Sequence, residues 1–189
     1  FYKGSVANKI AKAMKDNSGL ITKSDLENYN PVWRKPLISQ YRGNNVITMG
    51  PPSSGGLHII QMLNILENYD LKEMNHNSKD YINLLTEVMK YAYSDRSKYL
   101  GDPDFYDVPV EKITSKNYGK RIFNDIEIGQ SKPVGEVKPG MYLETESHET
   151  THFSVADAVG NIVSSTYTLN STFGSGVVIK GTGIVMNND

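Results

Sequence analysis

The spacing of apolar residues changes character along this chain, and that change limits how it can fold. Up to about residue 124 most apolar runs recur at helical spacing, whereas from Thr151 onward they alternate as strands do. Helices are therefore expected to dominate the first part and strands the second. With 189 residues the chain is long enough for one good core and part of a larger one.

Taken in order, Ser5 can cap a helix whose stripe is Val6, Ile10, Ala13 and Met14, closed by Asn17, Ser18 and Gly19. Thr22 to Asp25 reads as a capping box with Asp in place of Glu, leading into Leu26 and Tyr29. Pro31 and Pro36 break that helix around Trp33. Leu37 to Tyr41 and Val46 to Met49 read as strands joined by a turn over Arg42, Gly43, Asn44 and Asn45. The loop Gly50 to Gly56 then opens an apolar run from Leu57 to Leu66, expected to be a buried helix capped by Ser53 or Ser54. Its Gly pair lets another backbone come close. A phosphate cradle is disfavoured, because the Walker lysine is missing and the prolines remove amide donors.

Ser78 is expected to cap the longest helix, with Tyr81, Leu84, Leu85, Val88, Ala92 and Tyr99 on one face. Asp102 and Asp104 mark a turn rather than a calcium loop, since the rest of that ligand pattern is absent. Two short helices follow, over Val110 to Thr114 and Lys116 to Asn124. Residues 126 to 149 are rich in Gly, Pro and Glu, with little to bury, and are expected to form an exposed, mobile acidic segment.

Composition removes several functions. There are 20 Lys+Arg against 21 Asp+Glu, so no field for nucleic acid or an anionic membrane is implied. No run approaches the roughly 20 apolar residues that span a bilayer. The absence of Cys excludes a thiol nucleophile, a disulfide scaffold and a thiolate zinc site. His58, His76, His148 and His152 lack metal-ligand spacing, and no metal or cofactor is expected. His58, in the first turn of its helix, reads as a structural histidine. The start at Phe1 lacks the regions of a signal peptide and an initiator Met, and is expected to be interior to a longer product.

The stretch Glu149-Thr150-Thr151-His152-Phe153-Ser154 carries a candidate chemistry. Threonine is a poor nucleophile unless a base sits beside it, and its own α-amine can serve once the preceding peptide bond is cut. Glu149–Thr150 is then a self-cleavage site and Thr150 the nucleophile. Thr-Thr pairs also open ordinary strands, so these residues alone leave both readings open. Thr151 to Ala156 and Ile162 to Leu169 read as a hairpin with an expanded turn over Asp157 to Asn161. Pairing would bring Thr168 and Asn170 near Thr150, supplying a hydroxyl to orient a nucleophile and an amide to bind substrate. Gly174-Ser175-Gly176 and Gly181-Thr182-Gly183 flank further short strands.

Thr-Thr-His-Phe-Ser-Val-Ala-Asp at 150–157, Thr-Tyr-Thr-Leu-Asn-Ser-Thr-Phe-Gly at 166–174 and Val-Met-Asn-Asn at 185–188 resemble the γ-glutamyltranspeptidase family. Pro-Pro-Ser-Ser-Gly-Gly at 51–56 and Tyr-Leu-Gly-Asp-Pro-Asp-Phe at 99–105 agree, so the resemblance spans essentially the whole chain. It implies an α+β fold, part of the four-layer αββα sandwich of the N-terminal-nucleophile hydrolases. It further implies a precursor that cuts itself into two subunits that stay together. Residues 1–149 would end the large subunit and 150–189 begin the small one. Thr150 would attack a γ-glutamyl amide such as glutathione, and water or an acceptor amino acid or peptide would take the acyl group. Thr168 matches the threonine that hydrogen-bonds the nucleophile, Asn170 a residue contacting the glutamyl group, and Thr151 a supporting position. A periplasmic or extracellular location is implied as well.

Asp189 stands where the family usually has Glu or Gln contacting the substrate's α-amino group. The family's carboxylate-gripping arginine would lie upstream of this chain. Its following aspartate, paired serines and oxyanion-hole glycines would lie downstream. Oxyanion donors are worth about 3–4 kcal/mol of transition-state stabilisation, so this piece by itself is expected to be inactive. Relatives acting on cephalosporin side chains or poly-γ-glutamate, and a noncatalytic uncleaved binding protein, remain alternatives.

Overall fold

The computed structural model describes residues 1–137 and 150–188, with Thr150 and Thr151 described through their backbone. Two compact units divide the chain: Phe1–Val32 with the described part of Thr145–Asp189, and the described part of Trp33–Glu144.

In the first unit, helix α1 (Ser5–Asp16) begins at Gly4, whose extended backbone is the N-cap. Ser5 is therefore already inside the helix and does not cap it, contrary to expectation. Its end is as expected: Ser18 turns left-handed at φ 57° and Gly19 N–H donates to Met14 O at 2.7 Å. Helix α2 (Lys23–Asn28) carries the expected capping box, with Asp25 N–H donating to Thr22 Oγ1 at 3.2 Å and Thr22 N–H to Asp25 Oδ2 at 2.7 Å. Strands β3 (Thr150–Ala156) and β4 (Ile162–Thr168) form an antiparallel hairpin, and β5 (Val178–Ile179) pairs with β6 (Ile184–Val185). Ile10, Met14 and Ile179 are the buried centre, with Leu26, Val177, Ile184 and Met186 packed around them. Lys9 Nζ donates to Gly181 O at 3.0 Å, tying α1 to the β5–β6 turn.

The second unit starts with the hairpin of β1 (Leu37–Tyr41) and β2 (Asn44–Thr48). Its turn is only Arg42-Gly43, at φ 48° and 82°, so β2 begins two residues earlier than the sequence pattern places it. Two successive left-handed residues twist the turn to match the strands, which favours this short connection. Helix α3 (Gly55–Leu66) follows without side-chain capping, because Ser54 has helical backbone angles and its hydroxyl accepts nothing from the first turn. The close approach expected of the Gly pair is present: a Cβ on Gly56 would lie 2.0 Å from Met49 O.

Helix α3 packs against α4 (Lys79–Tyr99), α5 (Val110–Ile113) and α6 (Lys116–Phe123). Ser78 caps α4 as expected, accepting from Tyr81 N–H at 3.2 Å. Ile65, Leu84, Val88, Tyr91, Tyr118 and Ile122 form its core. Contrary to its apolar reading, α3 buries His58, Gln61 and Asn64 and leaves Ile59 exposed. Asp104 N–H donates to Asp102 Oδ1 at 3.0 Å, the turn that was expected there.

The described part of 126–149 is exposed over most of 127–136, as expected, but it is anchored at both ends. Ile126 and Val137 are buried in the core, and the intervening residues lie along α4. Lys90 Nζ, paired with buried Glu87 at 2.7 Å, donates to Ser131 Oγ and Lys132 O, while Ser94 Oγ donates to Val137 O. The sequence pattern underrated this segment because two well-spaced apolar residues suffice when polar side chains on a neighbouring helix satisfy its backbone. Residues 138–149 of that expected tail lie outside the described residues.

Candidate active site

The β3–β4 hairpin positions the candidate residues. Its register sets Thr150 directly opposite Thr168, Thr151 opposite Tyr167 and His152 opposite Thr166. The register is held at the far end by the 157–161 turn, where Asp157 Oδ1 accepts from Val159 N–H and Asn161 N–H at 3.0 and 2.9 Å. These bonds, with the Asn161 side chain first among them, hold the Asp157 carboxyl below its ordinary range. Gly160 supplies the turn's left-handed residue at φ 90°.

Strand alternation gives the hairpin two unlike faces. On one, Phe153 and Tyr167 meet edge to face with centroids 6.3 Å apart, beside Val155 and Val163. On the other, Ser164, Thr166 and Thr168 make a row of hydroxyls on β4, facing His152 and Ser154. His152 Nδ1 is 2.7 Å from Thr166 Oγ1 and its Nε2 is 3.0 Å from Ser164 Oγ. This polar row escaped the sequence reading, although hydroxyl residues at every second position of Ser164, Thr166 and Thr168 were its visible signal.

Past the end of β4 the chain turns sharply. Asn170 takes a left-handed backbone, φ 73°, and its N–H donates to Thr168 Oγ1 at 2.9 Å. Accepting that bond aims the Thr168 hydroxyl proton away from the Asn170 amide, which suits it to donate elsewhere. The loop beyond Asn170 closes onto the C-terminal stretch: Ser171 Oγ donates to Asn188 Oδ1 at 3.1 Å and Asn188 N–H approaches Leu169 O at 3.4 Å. Gly174 permits this closure, because a Cβ there would lie 2.2 Å from Met186 O.

Of the expected site residues, Thr150, Thr151, Thr168 and Asn170 therefore gather at one end of the hairpin. Asn188, beside Asp189, hydrogen-bonds the same loop. Glu149 and Asp189 themselves lie outside the described residues. A strand end carrying a hydroxyl residue opposite a second, backbone-oriented hydroxyl can present a nucleophile together with a donor to orient it.

Comparison with known proteins shows which family the chain belongs to. The family model described as Gamma-glutamyltranspeptidase matches residues 1–189. The glutathione hydrolase proenzyme of Escherichia coli (strain K12) is 52% identical over 188 residues, covering 100% of this chain and 32% of that protein. A crystal structure of Helicobacter pylori gamma-glutamyltranspeptidase superimposes with a TM-score of 0.70 at 48% identity, over 79% of this chain and 43% of the other. Cephalosporin acylase from Bacillus halodurans superimposes with a TM-score of 0.75 at 30% identity, over 100% of this chain and 32% of the other. The chain thus spans about a third of the length of the curated relatives it matches. The expected α+β class holds, and the likeness to these structures carries the N-terminal-nucleophile hydrolase fold with it. The chain belongs to the gamma-glutamyltranspeptidase family.

Proposed function

We propose that the longer protein containing this chain is a self-cleaving γ-glutamyl transferase or hydrolase, with Thr150 as its nucleophile. The observation that carries this reading is the register of Thr150 against Thr168 at the head of the hairpin, with Asn170 bonded to Thr168 just beyond it. In the precursor, the Thr150 hydroxyl attacks the Glu149 carbonyl and the peptide C–N bond gives way to an ester. Water then hydrolyses that ester, leaving the Glu149 carboxylate and a free Thr150 amine. Residues 1–149 end one subunit and 150–189 begin the other, and the two remain together.

In turnover, the Thr150 amine takes the hydroxyl proton while Oγ attacks the γ-glutamyl carbonyl. The amide C–N bond breaks, and the amine of the leaving group departs with the proton. Water, or the amine of an acceptor amino acid or peptide, then takes the glutamyl group from the ester. Thr168 orients the nucleophile, Thr151 supports it, Asn170 contacts the glutamyl group and Asp189 its α-amino group. No cofactor is needed for these steps. A periplasmic or extracellular location accompanies this reading, by analogy with the family.

A second reading, an acylase acting on other amides, is supported by the likeness to cephalosporin acylase over the whole chain. The higher identity to a glutathione hydrolase proenzyme favours the γ-glutamyl reading. A noncatalytic protein fits less well, since Thr150, Thr168 and Asn170 are all retained.

Release of p-nitroaniline from γ-glutamyl-p-nitroanilide by the full-length protein tests the proposal. Turnover should fall by at least about a thousandfold in Thr150→Ala, as the loss of a nucleophile does elsewhere. Equal turnover in both would remove Thr150 from the chemistry.

A further inference from the structure

We propose that His152 is a positioning residue for the nucleophile, acting through the hydroxyl row of β4 rather than by touching substrate. This rests on the reading of Thr150 as the nucleophile. The ring is held at both nitrogens, Nδ1 to Thr166 Oγ1 at 2.7 Å and Nε2 to Ser164 Oγ at 3.0 Å. Ser154 Oγ donates in turn to Ser164 Oγ at 3.3 Å. A hydroxyl that accepts from Ser154 has its own proton for His152 Nε2. With Nε2 accepting from Ser164, it is Nδ1–H that donates to Thr166. The order Ser154, Ser164, His152, Thr166 forms a directed chain of bonds running toward the 150–168 end of the hairpin.

Position 150 needs such a clamp. Once the bond before it is cut, Thr150 is a chain end, and strand ends fray unless tied down. The pair His152–Thr166 lies two residues in from Thr150–Thr168 on both strands, with all four positions on one strand face. A side-chain bridge there holds β3 against β4 where covalent continuity no longer does. It also fixes the backbone of Thr166, two residues before Thr168. The Asn170 N–H bond to Thr168 holds the same strand from its other side.

The test uses the full-length protein, following self-cleavage by the appearance of two chains and hydrolysis of γ-glutamyl-p-nitroanilide by steady-state kinetics. His152→Ala should slow self-cleavage and lower kcat by about 10- to 100-fold, the scale of a small misplacement of reacting groups. KM should stay within about twofold, because the contacts to the glutamyl group are untouched. His152→Asn, whose amide can occupy the place of Nδ1 beside Thr166, should recover most of the loss. His152→Gln, which reaches toward Ser164 instead, should recover less. Thr166→Val removes the partner while keeping its shape, and should reproduce the kcat defect even if His152→Ala fails to fold.

Wild-type kcat in His152→Ala or in Thr166→Val, or a loss confined to KM, would overturn the proposal. A wild-type protein that neither cleaves nor hydrolyses this substrate would instead overturn the function reading on which it rests.

Discussion

Asp95 shows how one residue can be structural and still respond to pH. It is fully buried at the centre of the helical unit, between Gln61 of α3 and Tyr118 of α6, which both donate to it. Burial pushes its pKa up from 3.8 to about 6, against the opposing pull of the Tyr118 and Gln61 bonds. The folded state thus holds this proton more tightly than the unfolded chain does. The stability Asp95 contributes is complete below its unfolded value and is lost as pH rises through about 6. Asp95→Asn in the full-length protein should flatten the dependence of Tm on pH between about pH 4 and pH 7. It should cost less at neutral pH than Asp95→Ala, since an amide oxygen remains to accept from Tyr118 and Gln61. Asp95→Ala should be less stable by about 1–3 kcal/mol, because it strands the Tyr118 hydroxyl and the Gln61 amide. A Tm profile for Asp95→Asn as steep as that of the wild type would contradict this account. His58 behaves oppositely: burial, then the nearby Arg96 charge, lowers its pKa to about 4, which keeps it a neutral structural histidine. Residue type alone told nothing of Asp95, because a carboxylate in a helix reads as solvated until its neighbours are known.

At the scale of elements, local chemistry made much of the chain legible. The Thr22 capping box, the Ser78 cap, the long stripe of α4 and the β3–β4 alternation all appear as read. Each depends on residues within a few positions of one another, which a sequence displays directly. Apart from the caps at Ser5 and Ser54 and the start of β2, the misreadings came where a distant partner decided the outcome. Gln61 and Asn64 are buried in α3 because Asp95 accepts from the first, while the second donates to Thr114 O at 2.7 Å. Residues 126–137 pack because Lys90 and Ser94 on α4 satisfy their backbone. Close backbone approaches are the most sensitive points among these elements. Gly119 of α6 lies so near α3 that a Cβ there would be 2.8 Å from the Asn64 carbonyl oxygen. Gly119→Ala should therefore destabilise by about 1–3 kcal/mol through overpacking, despite alanine's better helix propensity. Chemical denaturation of the full-length protein measures it, and a more stable variant would show that α6 has room to move away.

For the whole molecule, the site's legibility was divided between what this chain holds and what it lacks. Thr150, Thr168 and Asn170 could be placed from strand pairing alone, because a hairpin's register follows from its turn. The chain is about a third of its curated relatives' length, and the groups that grip the substrate carboxylate and the oxyanion are expected in the remainder. Phe153, Val155, Val163 and Tyr167, each 44–56% exposed, give the hairpin an apolar face as well. Residues 1–189 expressed alone should release no p-nitroaniline from γ-glutamyl-p-nitroanilide, whereas the full-length protein should. Turnover by the piece would mean that a complete site lies within it.

The central claim is that Thr150 becomes a chain end. N-terminal sequencing of the purified full-length protein, beside its Thr150→Ala variant, tests this most directly. A second sequence beginning Thr-Thr-His-Phe-Ser, absent from the variant, is the predicted result. A single uncut chain after long incubation would deprive Thr150 of its amine base and contradict the mechanism.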